Sequence, residues 1–262
     1  MEQKTPAVAK VKIEVRPMNV GINYAMEELR REYAQIKGIY EAAIREINAR
    51  LQTLDSEFSF KYMHNPIHHM ESRVKTLGSI VRKLHSLGYP ISISCAKKTL
   101  HDIAGVRVVC RYVDDIYRIA DLLLAQDDIS LILEKNYIKN PKPNGYRSLH
   151  IVVDVPVYVS QGKLYIPVEI QIRTVAMDFW ATLEHGIRYK APAEVPQSIV
   201  DELRACADVI TETDYKMQEI FKALQKVNDK ADETPESIME AEEGGKGKGR
   251  EERDSSDKEG CD

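Results

Sequence analysis

A chain of 262 residues, 43% of them hydrophobic and 30% charged, is long enough for one substantial core and too short for several large domains. No apolar run approaches the roughly 20 residues that cross a bilayer, and the opening residues Met1 to Pro6 carry no basic stretch ahead of an apolar one, so a cytoplasmic protein without membrane partners is expected. The formal net charge of −4 is uneven: from Asp232 onward twelve Asp and Glu oppose five Lys and Arg, a net of −7. That leaves +3 on residues 1–231, enough to suit an anionic small ligand and too little to argue for a nucleic-acid surface.

In chain order, residues 1–20 read as a variable start. Residues 21–231 form a single folded domain, and residues 232–262 an acidic tail with almost nothing to bury, expected to be disordered from about Glu233. Tyr24–Leu54 reads as a long helix, because Met26, Leu29, Tyr33, Ile36, Tyr40, Ala43, Ile44, Ile47 and Leu51 recur at threes and fours. A strand is predicted over Ile67–Lys75, then a helix over Thr76–Ser86 stopped by Gly88 and Pro90. A β-branched strand over Ala104–Arg111 precedes a helix over Asp114–Ala125. Strands follow at Ile129–Tyr137, Ser148–Val155 and Leu164–Arg173, the last two joined by a Gln161-Gly162 turn. Helices at Val175–Tyr189 and Ser198–Lys230 complete an α+β domain: a mixed sheet flanked by helices, with long N- and C-terminal helices available for oligomer contacts. Cys95, Cys110, Cys206 and Cys261 form no close pair, so neither a zinc site nor a disulfide scaffold is signalled, and Cys110 reads as strand core.

The strand Leu164–Arg173 is the most informative segment. Alternation puts Leu164, Ile166, Val168, Ile170 and Ile172 on one face and Glu169, Gln171 and Arg173 on the other, where an acid, an amide and a guanidinium in a row can hold a metal and a nucleotide together. Pro167 cannot donate to a ladder and marks an edge, a bulge or the first paired residue. In the predicted helix after Val74, Leu77, Ile80, Val81 and Leu84 make the buried stripe. Lys75, Ser79, Arg82 and Lys83 share the opposite side, which is either a solvated basic face or a phosphate clamp. Asp102 stands directly before a strand that carries Arg107, with Ala104 and Gly105 small enough for close approach of a ligand.

The run Lys139-Asn140-Pro141-Lys142-Pro143-Asn144-Gly145-Tyr146-Arg147-Ser148-Leu149-His150 is a turn-rich loop feeding a strand. A hairpin explains its glycine and prolines. The Tyr-Arg-Ser-Leu-His run fits better with contact to a flat, charged ligand, Tyr146 offering a ring for base stacking. Trp180 reads as a core anchor. His64, His68 and His69 are the only alternative grouping for a metal.

These segments together resemble, over about Pro66 to Lys190, the synthetase domain of the RelA/SpoT homologues and most closely its short members, the small alarmone synthetases. The motifs are Arg-Val-Lys before the basic helix, Asp-Ile-Ala-Gly-Val-Arg, Asn-Gly-Tyr-Arg-Ser-Leu-His, Val-Glu-Ile-Gln-Ile-Arg-Thr and Trp-Ala-Thr-Leu-Glu-His. The resemblance implies a nucleotidyltransferase-like mixed sheet and Mg2+-dependent transfer of the β,γ-pyrophosphate of ATP to the 3′-hydroxyl of GDP or GTP, giving ppGpp or pppGpp and AMP. It also implies that Arg73 and Arg107 sandwich adenine while Lys75, Ser79, Arg82 and Lys83 hold the ATP phosphates. Tyr146 would stack on guanine, Lys135, Lys142 and His150 would lie near the acceptor phosphates, and Gln171, Asp178 and Ala181 would join that acceptor site. Asp102 and Glu169 would bind Mg2+, with Glu169 also placed to accept the proton of the attacking hydroxyl. Asp178 departs from the asparagine expected there; its carboxylate can still accept from guanine N–H groups.

A homotetramer through the terminal helices, synthesis without hydrolysis and no stable ribosome docking are further expectations of the resemblance. Two other classes compete. A non-catalytic nucleotide- or RNA-binding regulator, motivated by the loop cations and Tyr146, predicts binding without turnover. A different nucleotidyltransferase predicts release of pyrophosphate in place of AMP.

Overall fold

The computed structural model describes residues 20–62, 64–190 and 195–232. The expectations of a variable start and of a disordered acidic tail beyond Asp232 fall outside those residues. The described segments run α1 (Val20–Tyr62), β1 (Ile67–Val74), α2 (Leu77–Ser86), α3 (Ile93–Thr99), β2 (Ala104–Cys110), α4 (Val113–Leu124), β3 (Ser130–Asn136), β4 (Leu149–Val159), β5 (Gly162–Thr174), α5 (Val175–Lys190) and α6 (Gln197–Asp232). No described helix is long and apolar enough to cross a membrane.

The five strands form one mixed sheet in the order β1-β2-β5-β4-β3, with β2 and β5 parallel and every other pair antiparallel. One face of that sheet carries the core. Val106, Val108 and Cys110 of β2, Ile151, Val153 and Val155 of β4 and Val168, Ile170 and Ile172 of β5 bury there against α1 and α4. Helix α1 outruns the predicted Tyr24–Leu54 because its stripe continues through Leu54 and Phe58, both buried, and its Asp55 accepts the Ile67 backbone N–H at 3.0 Å where β1 begins. Helix α3 escaped prediction: seven residues with Ser92 as N-cap show only Ile93 and Ala96 buried, too short a run for a period to register.

Pro167 lies opposite Asp154 of β4, one residue before the ladder to β2 begins at Val168. Its missing N–H therefore costs no hydrogen bond on that side. Below Pro167 the β4–β5 hairpin runs past the rest of the sheet, so Leu164, expected on the buried face, is 39% exposed.

Helices α5 and α6 pack together through a second, small core of Trp180, Ala181 and Ala207, with Tyr146, Leu203 and Ile210 against it. Trp180 donates Nε1–H to the Leu203 carbonyl at 3.0 Å, so it anchors this core as expected. Thr174 ties the two helices at their base. Its hydroxyl accepts the Met177 N–H at 3.1 Å and donates to the buried Asp214 of α6 at 2.6 Å. The outer side of these helices leaves Phe179 of α5 and Val209, Met217, Ile220 and Leu224 of the terminal helix α6 exposed.

Candidate active site

The face of the sheet opposite the core is polar, and register alone assembles it. Glu71, Arg107, Gln171, His150 and Lys135 lie opposite one another in a single row across β1, β2, β5, β4 and β3. The neighbouring row sets Arg73 opposite Gly105 and Gly105 opposite Glu169. Paired residues share a face, so a glycine between a guanidinium and a carboxylate leaves open space there. A cleft of about 220 Å³ opens at this place, lined by Arg73, Lys75, Asp102, Arg107, Glu169 and Gln171 among others.

Lys75 is fixed by its backbone before its side chain is considered. Its N–H donates to the Ile103 carbonyl at 2.7 Å and its carbonyl accepts from the Tyr33 hydroxyl at 3.0 Å. The Lys75 ammonium then donates to Asp102 Oδ2, as does Lys83 from the next turn of α2, at 2.6 Å. Burial opposes the charge of Asp102, but the two ammoniums outweigh it and hold the carboxyl below its ordinary value. Its other oxygen, Oδ1, is buried and has no hydrogen-bond partner. Thr76 caps α2 by accepting the Ser79 N–H at 3.3 Å, and Arg82 donates to the Ser79 hydroxyl at 3.1 Å, so the four basic-face residues divide into two pairs.

Glu169 belongs to a closed ring of hydrogen bonds. Gln171 donates Nε2–H to Glu169 Oε2 at 3.0 Å, Arg173 donates to Gln171 Oε1 at 2.8 Å and to the Tyr146 hydroxyl at 3.3 Å. The Tyr146 hydroxyl meets His150 Nε2 at 2.8 Å, and His150 Nδ1 faces Glu169 Oε1 at 3.3 Å. Burial raises the Tyr146 hydroxyl above its ordinary value, so the phenol keeps its proton. The ring is then satisfied with Tyr146 donating to Nε2 and His150 donating Nδ1–H to Glu169. Burial also works against the charge of Glu169, yet His150 and then Gln171 prevail and hold this carboxyl below its usual range as well; the nearby Asp102 charge pushes the other way.

The remaining expected residues take graded positions. Asp178, from α5, lies 3.4 Å from Arg173 and 3.7 Å from Arg107, and so bridges the two arginines. Lys142 reaches over Tyr146. Ala181 is buried in the small core behind Tyr146 and does not line the cleft, and Lys135 is exposed at the end of the polar row. His64, His68 and His69 do not converge: His64 pairs with Asp115 at 3.1 Å while His68 and His69 meet each other at 2.8 Å.

Two participants, Glu71 and Tyr137, escaped the motif reading, and Arg173, expected on the polar face, takes a more central part there than the motifs assign it. Arg173, with a side chain only 3% exposed, is the hub of the ring. Glu71 accepts from Arg107 at 3.1 Å, and Tyr137 packs edge-on against Tyr146 and His150. The alternation that sorted Glu169 and Gln171 already put Arg173 on their face; Glu71 and Tyr137 become visible only through register and loop packing.

Residues 72–194 match the family model described as the region found in RelA/SpoT proteins. Over 186 residues the chain is 42% identical to GTP pyrophosphokinase YwaC and 34% identical to GTP pyrophosphokinase YjbM, both of Bacillus subtilis, covering 71% of this chain and 89% and 87% of those proteins. The crystal structure of small alarmone synthetase 1 from Bacillus subtilis bound to its product pppGpp superposes with a TM-score of 0.69 at 33% identity, over 74% of this chain and 99% of that one. Small alarmone synthetase 2 from the same organism gives 0.64 at 41% identity, over 71% and 96%. With three of the five motifs lining one cleft of the expected mixed sheet, the chain belongs to the RelA/SpoT family, among its small alarmone synthetases, which are GTP pyrophosphokinases.

Proposed function

We propose that this enzyme moves the β,γ-diphosphate of ATP to the 3′-hydroxyl of GDP or GTP, giving ppGpp or pppGpp and AMP, with Mg2+ held by Asp102 and Glu169. One observation carries the reading: two carboxylates remote in sequence line the same cleft, between guanidiniums on one side and a ring of hydrogen bonds to an aromatic loop on the other. In this assignment Arg73 and Arg107 flank adenine by stacking their planes on it. Lys75, Ser79, Arg82 and Lys83 receive the ATP phosphates. Tyr146 takes the guanine, Asp178 accepts from its N–H edge, and Lys142, His150 and Lys135 stand toward the acceptor phosphates.

The donor set suits magnesium. Asp102 keeps a buried oxygen without a partner, and Asp102 and Glu169 line one cleft, a pair of carboxylates that would leave the ion's remaining positions to water and phosphate oxygens. When bound, the ion would neutralise charge on the transferred diphosphate. In the transfer, the acceptor 3′-oxygen bonds to the β-phosphorus as the bond from that phosphorus to the oxygen bridging to the α-phosphate breaks. AMP leaves with that oxygen, and the hydroxyl proton passes to Glu169. A carboxylate held ionised is a weak base. A loose phosphoryl-type transition state asks mainly for position and charge, which the His150 and Gln171 contacts supply.

Incubating the protein with ATP, GDP or GTP and Mg2+, then separating nucleotides by ion-exchange chromatography, tests the assignment. Equal amounts of AMP and a 3′-diphosphorylated guanine nucleotide are expected, and chelation by EDTA should stop both. Release of pyrophosphate without AMP would instead identify another nucleotidyltransferase. A second expectation concerns pH. Asp102 and Glu169 both bind protons less readily than ordinary carboxyls, so they stay ionised as pH falls and lose their charge only below the usual glutamate value of 4.5. The acid limb of kcat/KM should therefore lie below pH 4.5 wherever the fold survives. A limb near neutrality would assign the essential ionisation to another group.

A further inference from the structure

The Lys142 ammonium stands 4.7 Å from the ring centre of Tyr137 and 4.6 Å from that of Tyr146. The two rings meet edge-on 5.9 Å apart and His150 stands edge-on to both, so the cation covers two rings of a three-ring cluster. Among the described residues no ion pair involves Lys142; its partners are the ring faces. Its backbone is not free. The Gly145 N–H donates to the Lys142 carbonyl at 2.8 Å and the Lys142 N–H to the Tyr146 carbonyl at 3.2 Å, closing a tight turn around Pro143. The exposed side chain is therefore the part that can move while the loop stays in place.

We infer that Lys142 occupies the base-stacking face of Tyr146 in the free protein and exchanges that face for the phosphates of the incoming acceptor, so that the site selects phosphorylated guanine nucleotides over the bare nucleoside. The inference rests on the reading of Tyr146 as the guanine platform. A purine and an ammonium cannot share one ring face, so stacking must break the cation–π contacts. GDP gives the displaced ammonium a new anionic partner, whereas guanosine displaces it into water with nothing in return. The lysine thus penalises any base that arrives without phosphate.

The test compares guanosine and GDP, each titrated by NMR, a method that reads millimolar affinities, into the wild-type protein and into Lys142→Ala, Tyr146→Ala and the double variant. Lys142→Ala should bind guanosine about three- to tenfold tighter than wild type, the weight of the exposed cation–π contacts removed, and bind GDP about tenfold more weakly, having lost a phosphate partner. The guanosine gain should vanish in the Tyr146→Ala background. Unchanged or weaker guanosine binding by Lys142→Ala, with Tyr146→Ala still impairing it, overturns the inference alone. If Tyr146→Ala leaves guanosine binding intact, the guanine platform itself is misassigned.

Discussion

Glu169→Gln should lower kcat by about 10²- to 10⁴-fold, the range spanned by loss of one positioned proton acceptor, while the protein folds and binds GDP within about threefold of wild type. Glutamine matches the size of glutamate, and the His150 Nδ1–H that faces Oε1 at 3.3 Å can go on donating to an amide oxygen. What disappears is the negative charge, with it the proton acceptor and half of the carboxylate pair facing the cleft, and also the second acceptor oxygen, so the Gln171 Nε2–H that donates to Oε2 must turn to water. The Tyr146 ring and its Lys142 contact lie on the far side of His150 and should be untouched, which is why binding is expected to separate from turnover. Single-turnover rates with saturating ATP and GDP, set beside GDP binding alone, decide it. A variant turning over within threefold of wild type would remove Glu169 from the chemistry.

Gly145→Ala should cost about 2–4 kcal/mol of stability and raise the KM for the guanine nucleotide by roughly tenfold. Gly145 sits at φ +90°, and a Cβ built there would lie 2.5 Å from Ala207 Cβ and 3.3 Å from Arg204 Cα on α6. The backbone conformation alone disfavours a side chain by about 1 kcal/mol, and forcing a methyl into a filled contact adds about 1–3 kcal/mol. The loop must lift from α6, and Tyr146, packed against Trp180, Ala181 and Ala207, goes with it. Thermal unfolding should fall by roughly 5–15 °C for a domain of this size. A double-mutant cycle with Ala207→Gly separates the two causes. Alone, Ala207→Gly costs about 1 kcal/mol as a helix glycine; in the Gly145→Ala background it should cost nothing or stabilise, because it removes the nearer obstacle. A wild-type melting temperature for Gly145→Ala would show that the loop accommodates a methyl there without leaving the helix.

The parts of this protein that sequence disclosed are those where local period and burial agree. Strict alternation in β5 sorted Glu169 and Gln171 from Val168, Ile170 and Ile172, because one face of the strand is dry and the other lines a cleft. The 3.6-residue period did the same for α2, whose Ile80 and Leu84 are buried beneath its basic side. Where the signal failed, the cause was tertiary. Leu164 is apolar yet exposed because β5 there has left β2 behind. Arg173 reads as any cation on a polar face, since its burial is produced by the Tyr146 loop, distant in sequence, and by the way the chain turns into α5 directly after β5. Ala181, expected at the acceptor site, is buried with Trp180 and Ala207 in a core that only the meeting of α5 with α6 creates.

The row running from Glu71 to Lys135 through all five strands has a consequence for how faithfully the enzyme is made. A slip of one residue in the pairing of β2, β4 or β5 would turn that strand's share of the row to the opposite side and expose its buried valines and isoleucines to water. Misalignment of the chemistry and misfolding of the interior are therefore the same error, and water rejects it. Catalytic alignment in this enzyme is proofread by oil.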